Sequence, residues 1–410
     1  MTFSPENPGE NPNGFMTNSS HPTQGKLIIA TVISDLATDY RVHRICQTLR
    51  EAGYRVLLTG SVRRNSLRLE KRDYQTDRLK LWFNRTALFY AEFNIRLFFR
   101  LLFKRGDIYL GNDLDVMPAT RLLAWLHKKP LVYDSHEYFL GMAGMDQKPF
   151  RRGIWKFIER RLFRRLKYAY TVCDSIQALY RQDYDKTLSV VRNLPLLEIS
   201  PGASGSGEKD RIHSIDRQIP PGKWLLLLQG AGINTQRGAE ELVLSMLFLD
   251  EARFHLLIIG GGDIFPDLQK IVAQNKLQSK VSLVSRVPFA LLNHFTRQAH
   301  LGLSIDKPSV INHRYSLPNK LFEYLHAGVP VLASRLVEQE KIINHYQVGT
   351  FIENHQPEHI AQKIREIFEN QDQLNYWKEN TRLVRKELNW ENESKIIIDI
   401  FKQVETDSVT

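Results

Sequence analysis

The apolar positions of the chain fall into two series of short runs, each alternating with helical patterns. The first series opens at Lys26 with Leu27–Ser34, an apolar run of strand length. The spacing over Val42–Ala52 predicts a helix stopped by Gly53, and Tyr54–Gly60 reads as the next strand. Strand–helix–strand is how a parallel α/β sheet begins. Asp107–Leu110, Pro130–Asp134 and Tyr168–Cys173 read as further strands, with helices over Leu122–His127 and Ile176–Arg181. Ser189–Asn193 closes this series.

Residues 198–222 break the pattern with Pro201-Gly-Ala-Ser-Gly-Ser-Gly and Ile219-Pro-Pro-Gly. A second series follows. Its strands are expected at Trp224–Gln229, His255–Ile259, Lys280–Val284, Leu301–Ile305 and Val329–Ala333. Helical patterns cover Ala239–Leu249, Phe265–Asn275, Asn319–His326, Pro357–Asn370 and Glu393–Val404. The expected fold is therefore α/β, with two parallel-sheet, Rossmann-like domains facing across a cleft. Residues 1–25, rich in Pro, Asn, Gly and Ser, read as a disordered leader without the basic start and apolar stretch of a signal peptide. The first domain is expected over 26–200, a linker over 201–222 and the second domain over 223–387. A final helix over 388–410 is expected to pack back on the first domain. Ligands of such sheets sit at the carboxyl ends of the strands.

Composition narrows the class. The 410 residues are 42% hydrophobic and 25% charged, which excludes wholesale disorder. With only Cys46 and Cys173, neither a disulfide scaffold nor a cysteine-built zinc site is expected. No run of about 18 apolar residues suggests a membrane span. The net charge of +11 is unevenly placed. Residues 26–200 hold 32 basic and 18 acidic side chains, net +14, whereas 201–410 hold 24 and 25, net −1. An acidic partner is expected for the first half. Nucleic acid is set aside, because no basic-aromatic strand motif or zinc finger is present.

Two segments suggest a membrane surface instead. Residues 151–168 carry eight basic residues and one acid, Glu159. Ile154, Ile158, Leu162 and Leu166 form one stripe, and Arg152, Lys156, Arg160 and Arg164 another, as in a basic amphipathic helix. Phe89–Phe103 is apolar except for Glu92, Arg96 and Arg100. Either apolar face could equally pack into the first domain's core.

The chemistry-bearing segments follow strands. Ser316 and Pro318 mark the start of the helix Asn319–His326. Free N–H groups there suit an anion, and Lys320 adds a cation. Glu323, about one turn on, suits a diol such as a ribose; an ordinary capped surface helix has the same signature. Gly230–Glu241 holds a second strand–loop–helix, with Asn234 or Thr235 as cap and Arg237 in reach of a phosphate. Gly260-Gly-Gly-Asp263 permits close approach of a ligand to backbone, or is simply a turn. In the first half, Asp134-Ser-His-Glu137 ends an apolar strand. His136 could donate to a sugar hydroxyl or phosphate, with Glu137 orienting it or helping to order a loop; a structural His at a strand end has the same signature. Asn112-Asp113-Leu-Asp115 suggests helix capping or acceptor binding rather than a metal site. Neither a G-x-S-x-G elbow nor a Walker loop occurs.

Taken together, these segments resemble the GT-B glycosyltransferases, and within them the retaining family 4 group of bacterial surface polysaccharides. Ser316-Leu-Pro-Asn-Lys320, Glu323 and Gly328-Val-Pro-Val331 carry the resemblance, with Gly230, Arg237-Gly238, Gly260-Gly-Gly, Tyr133–Glu137, Asn112–Asp115 and Arg192-Asn193. It spans about Lys26 to Val404. The family has two glutamates eight positions apart; Glu323 fits the second, and Tyr315 stands at the first. Arg237 fits the later of two diphosphate cations, and Gly232 stands near the earlier one.

The resemblance implies retaining transfer of a sugar from a nucleotide-sugar to a lipid-linked or glycan acceptor in cell-surface polysaccharide biosynthesis. No metal or other cofactor is implied. The expected catalytic residues are His136, Arg237 and Lys320. The donor would meet Gly232, Thr235, Gly238, Gly261, Arg286, Val287, Ser316, Pro318, Asn319 and Glu323. The acceptor side would hold Asp39, Arg41, Asn112, Asp113 and Glu137. The expected location is cytoplasmic, peripheral on the inner face of the plasma membrane, with the Arg151–Lys167 helix on anionic lipid. Alternatives are a GT-B nucleotide-sugar epimerase and a degenerate, membrane-associated binding subunit.

Overall fold

The computed structural model describes residues 25–63, 66, 68–83, 86–142, 144–145, 147–197 and 206–408. Except for Gly25, the expected leader lies outside them. The first domain runs β1 (Leu27–Asp35), α1 (Tyr40–Glu51), β2 (Arg55–Val62), β3 (Gln75–Lys80), α2 (Thr86–Leu101), β4 (Ile108–Asn112), α3 (Met117–Leu126), β5 (Leu131–Ser135), α4 (Pro149–Phe163), β6 (Tyr168–Thr171), α5 (Asp174–Tyr184) and β7 (Ser189–Val190). Its sheet has the order β3-β2-β1-β4-β5-β6-β7. The order reverses direction between β1 and β4, which opens a crevice at their carboxyl ends.

The second domain repeats the plan. It runs α6 (Ser206–Asp216), β8 (Trp224–Gly230), α7 (Ala239–Ser245), β9 (Phe254–Gly260), α8 (Phe265–Gln274), β10 (Val281–Ser285), α9 (Phe289–Gln298) and β11 (Leu301–Ser304). It continues through α10 (Ile311–Arg314), α11 (Asn319–His326), β12 (Val331–Ser334), α12 (Val337–Tyr346), β13 (Gly349–Ile352), α13 (Pro357–Glu369) and α14 (Gln371–Glu387), and the chain ends in α15 (Trp390–Asp407). The sheet order is β10-β9-β8-β11-β12-β13, with the reversal between β8 and β11. Every strand pair in both sheets is parallel.

Helices cover both faces of each sheet, so the central strands are continuously apolar rather than alternating. Leu226, Leu256 and Leu303 point into one core of the second domain, and Leu225, Leu257 and Val331 into the other. The segment 201–222 is more than a tether: α6 occupies it, and Ile215 is buried in the second domain. α15 leaves the second domain and buries Trp390, Ile397, Phe401 and Val404 against β1 and α1. Trp390 Nε1 donates to Thr48 Oγ1 at 3.0 Å, fixing the entry of that helix.

The basic helix α4 is turned from its expected orientation. Trp155, Glu159, Leu162 and Phe163 form its buried side, while Ile154 and Phe157 are exposed. The sole acid of the stretch, Glu159, accepts from Tyr184, and burial pushes its pKa up to about 7. α2 buries Phe89, Phe93, Leu97 and Leu101, leaving Leu88, Ile95 and Phe99 exposed. Among the described residues no helix is long and apolar enough to cross a membrane.

Candidate active site

The carboxyl end of β4 turns sharply at Asp113, with φ 68° and ψ 163°. That conformation belongs almost only to glycine and persists where surroundings over-determine it. Here Asp113 N donates to Asp134 O at 2.8 Å, and Asp113 Oδ1 accepts from His136 N at 2.9 Å. The strained turn thus ties the ends of β4 and β5 together.

His136 lies between two carboxylates, its Nδ1 3.2 Å from Asp113 and its Nε2 3.0 Å from Asp134. Burial opposes protonation of the ring, but the two acids outweigh it and raise the pKa to about 9. The ring is an imidazolium at neutral pH. On its other side Asp134 takes Arg41, with Nη2 at 2.8 Å and Nε at 3.3 Å. Burial disfavours the Asp134 anion, yet Arg41 and His136 hold it below the ordinary carboxylate range. Arg41 also donates to Val191 O at 3.1 Å.

The acids that orient His136 are therefore Asp113 and Asp134, and of the two roles expected for Glu137 the orienting one falls away. Its Oε2 accepts from Asn312 Nδ2 of α10 at 2.8 Å, across the cleft. Burial first, then the nearby Asp113, pushes Glu137 up to about 7. Asp39 caps α1, accepting from Val42 N at 3.0 Å and from Ser34 Oγ at 2.5 Å. Asn112 is fully buried and donates to Thr31 O at 3.0 Å. Asp115 lies beneath the turn, and burial pushes its pKa well up. Asp39, Asn112 and Asp115 thus support the site from below. Among the described residues no group of three His, Cys, Asp or Glu could hold a metal ion.

In the second domain two glycine loops are laced together. Ile233 N donates to Gly261 O at 2.7 Å, and Thr235 N to Asp263 Oδ1 at 3.0 Å. Asp263 N returns a bond to Asn234 Oδ1 at 3.2 Å. Arg286 lies against Gly261 and donates to Ala231 O, while its own carbonyl accepts from Arg211 at 2.7 Å. Val287, beside it, packs partly against the second-domain core. Gly238 has φ 73°, and a Cβ there would stand 2.3 Å from Ile305 O. Its lack of a side chain lets the loop close onto the end of β11.

That approach places Arg237 beside Asp306, with Nη1 to Oδ2 at 3.5 Å. Lys320 of α11 reaches the same carboxylate at 3.2 Å. Asp306 is fully buried, whereas the Arg237 side chain is 30% exposed. One buried acid therefore holds two cations at the carboxyl ends of β8 and β11, where the strand order reverses. The trio carries a net +1 toward the cleft.

The start of α11 differs from expectation in one respect. Pro318, not Ser316, occupies the N-cap, and no side chain caps the helix. Ser316 Oγ donates backward to His313 O at 3.0 Å. This leaves the first N–H groups of α11, beginning at the exposed Asn319, without a side-chain cap. Glu323 is half-buried behind that start and accepts from Gln229 Nε2 at 2.5 Å. Thr296 Oγ1 in turn donates to Gln229 Oε1 at 2.7 Å. Burial raises the Glu323 pKa; Gln229, Arg44 and Lys320 offset part of it.

Further bonds span the domains on the Glu137–Asn312 side. Cys173 Sγ donates to Tyr315 O at 3.4 Å, and Ser175 Oγ to Glu338 Oε1 at 2.5 Å. Sequence reasoning assigned no role to Asp306, Asp134, Gln229 or Asn312. For the two acids a signal existed: each closes an apolar run that forms a buried strand. Gln229 and Asn312 gave none, because their meaning depends on a partner about 94 and 175 positions away.

Known proteins bear on this arrangement. The glycosyl transferase 4-like domain family matches residues 38–192, and the glycosyl transferases group 1 family matches residues 213–384. No curated protein sequence matches the chain. Among solved structures, sucrose-phosphate synthase from Thermosynechococcus elongatus superposes with a TM-score of 0.76 at 15% identity, covering 93% of this chain and 100% of that one. HepE of Anabaena in complex with UDP-glucose gives 0.71 at 10% identity, covering 92% and 100%. WaaG, a glycosyltransferase involved in lipopolysaccharide biosynthesis, gives 0.66 at 16% identity, covering 91% and 99%. Matched in both halves by glycosyltransferase families and folded as two facing parallel-sheet domains, the chain belongs to the group 1 glycosyltransferases of the GT-B fold.

Proposed function

We propose that the protein is a retaining transferase that moves a sugar from a nucleoside diphosphate donor to a lipid-linked or glycan hydroxyl in cell-surface polysaccharide biosynthesis. The observation that carries this reading is the pair Arg237 and Lys320, held on Asp306 beside the uncapped start of α11. As the glycosidic bond breaks, the diphosphate gains negative charge. Preorganised cations answer that charge without reorganising. They supply the countercharge themselves, so the proposed reaction needs no metal and should persist in a chelator. Glu323, fixed by Gln229, would accept hydrogen bonds from the donor's ribose. On the acceptor side both N–H groups of His136 are taken by Asp113 and Asp134, so its part there would be to hold the ends of β4 and β5 in place rather than to donate to the substrate.

HepE is known with UDP-glucose and WaaG acts in lipopolysaccharide biosynthesis, which makes UDP-sugars and a lipid-linked glycan the first pair to assay. Donor turnover across a nucleotide-sugar panel tests the reading, with Arg237→Ala and Glu323→Ala as controls. Full activity in both variants overturns the site. Nucleotide binding without turnover favours a degenerate binding subunit, and conversion of donor without acceptor favours an epimerase.

The proposed location is the cytoplasmic face of the membrane, with the Arg151–Lys167 helix on anionic lipid. Each cation near such a surface contributes about 1 kcal/mol. Glutamates at Arg160, Arg161, Arg164 and Arg165 should therefore abolish vesicle flotation, and unchanged flotation removes the helix from the membrane.

A further inference from the structure

Helices α3 and α4 leave a groove of about 610 Å³ on the first domain. Leu131, Leu162 and Leu166 contribute to its apolar lining. Leu122, Trp125 and Phe157 line it while remaining 45%, 68% and 64% exposed. Arg121, Lys129, Arg161, Arg165 and Lys167 also line it, and among the described residues no acid does. The two lysines have counter-ions outside the groove, Asp107 at 3.4 Å and Asp407 at 2.8 Å. Arg121, Arg161 and Arg165 have no carboxylate partner among the described residues. Burial lowers the Arg121 pKa, and Arg165 and Arg161 lower it further, so both of these guanidinium groups repel that of Arg121.

Three arginines without a carboxylate partner among the described residues, beside an apolar trench, lack one thing, an anion that brings its own apolar body. Guanidinium groups match phosphate oxygens in a fork geometry. The trench suits a hydrocarbon chain. Arg165 and Lys167 precede β6, and Lys129 precedes β5, so most of the cations gather at the amino ends of the strands. His136 lies at the opposite, carboxyl end of β5. The cations that precede β5 and β6 thus lie at the opposite end of the sheet from His136, and an occupant held there is an anchor rather than the reacting group.

We propose that the α3–α4 groove binds one anionic phospholipid, its phosphate on Arg121, Arg161 and Arg165 and its chain along Leu122, Trp125 and Phe157. This goes beyond adsorption of α4 to a charged surface, because it names one molecule, one groove and a second helix. It does not rest on the transferase reading, since no donor enters the test.

The test titrates the full chain with short-chain phosphatidylglycerol kept below its micelle concentration, with inorganic phosphate alongside. Two variants of equal charge change are compared. Arg121→Gln/Arg165→Gln alters the groove, and Arg160→Gln/Arg164→Gln alters exposed cations that do not line it. The expected result is one lipid per chain, weakened at least about tenfold by the groove variant and unchanged by the other. Trp125→Ala, at an exposed position, should weaken lipid binding without changing the melting temperature. Equal weakening by both double variants overturns the proposal in favour of diffuse charge. Phosphate binding as tightly as lipid overturns it in favour of a bare anion site. Binding to phosphatidylglycerol vesicles but not to monomeric lipid overturns it in favour of surface adsorption.

Discussion

The two sides of the cleft are built on the same device and put it to different uses. In each, a fully buried aspartate holds two cations: Asp134 takes Arg41 and His136, and Asp306 takes Arg237 and Lys320. On the first-domain side a second acid, Asp113, joins the group and brings its formal charge to zero. Arg41 there is only 7% exposed. On the second-domain side no second acid forms an ion pair with the group among the described residues, the sum is +1, and Arg237 is 30% exposed. A neutral, closed cluster fixes geometry, whereas a cationic, open one attracts an anion. Under the proposed function, the difference separates scaffold from phosphate site more sharply than the residue types do.

The comparison breaks most visibly at Arg41. Removing one partner of a buried pair leaves an uncompensated charge, at a cost of about 3–5 kcal/mol. Arg41→Leu should lower stability by that amount in urea unfolding. A loss below about 1 kcal/mol, the range of an exposed pair, would mean the first cluster is not a closed unit. Arg237→Ala should behave oppositely. It should cut kcat by about 10²–10³-fold, the scale of a lost transition-state donor, with little change in the unfolding midpoint. A variant that unfolds early but turns over normally would assign Arg237 to the scaffold.

Much of this contrast was legible in sequence only in part. The apolar runs located most strands because buried parallel strands have no polar face to confuse the pattern. β3 escaped because Gln75-Thr-Asp-Arg-Leu-Lys80 is an edge strand with only Leu79 buried. The cations Arg237 and Lys320 stood out beside glycine loops and helix starts. Their shared anchor Asp306 did not, since the 14 positions from Lys320 and the 69 from Arg237 close only when Gly238 meets Ile305. Similarly, Glu137 looked like the partner of His136 because it is adjacent in sequence. A strand end turns neighbours to different sides, and Glu137 reaches Asn312 instead.

A pH series sharpens the scaffold half. His136 has its pKa raised from 6.5 to about 9 in the folded protein. Its stabilising contribution is thus complete below about pH 6.5 and disappears as pH rises through about 9. Urea midpoints for the native chain should fall between these values, and His136→Gln should flatten that part of the curve. An equal fall in both proteins would assign the loss to another group.

The smallest expected effect concerns Gly232, where the resemblance places a second diphosphate cation. A Cβ at this position would meet nothing nearer than Asn234 Nδ2, at 3.5 Å, which is ordinary contact. Its φ also lies outside the left-handed region, unlike that of Gly238. Gly232→Arg should therefore fold normally, and it adds charge to the side that is already net positive. An exposed charge contributes on the order of 1 kcal/mol or less, so donor affinity should rise by at most about fivefold. The matched variant Gly238→Arg should instead lose both stability and donor binding, because its side chain would collide with Ile305 O. Titration with UDP and thermal melting separate the two. If Gly232→Arg weakens UDP binding while melting normally, the diphosphate does not lie over the 230–238 loop, and the open cluster must serve a different anion.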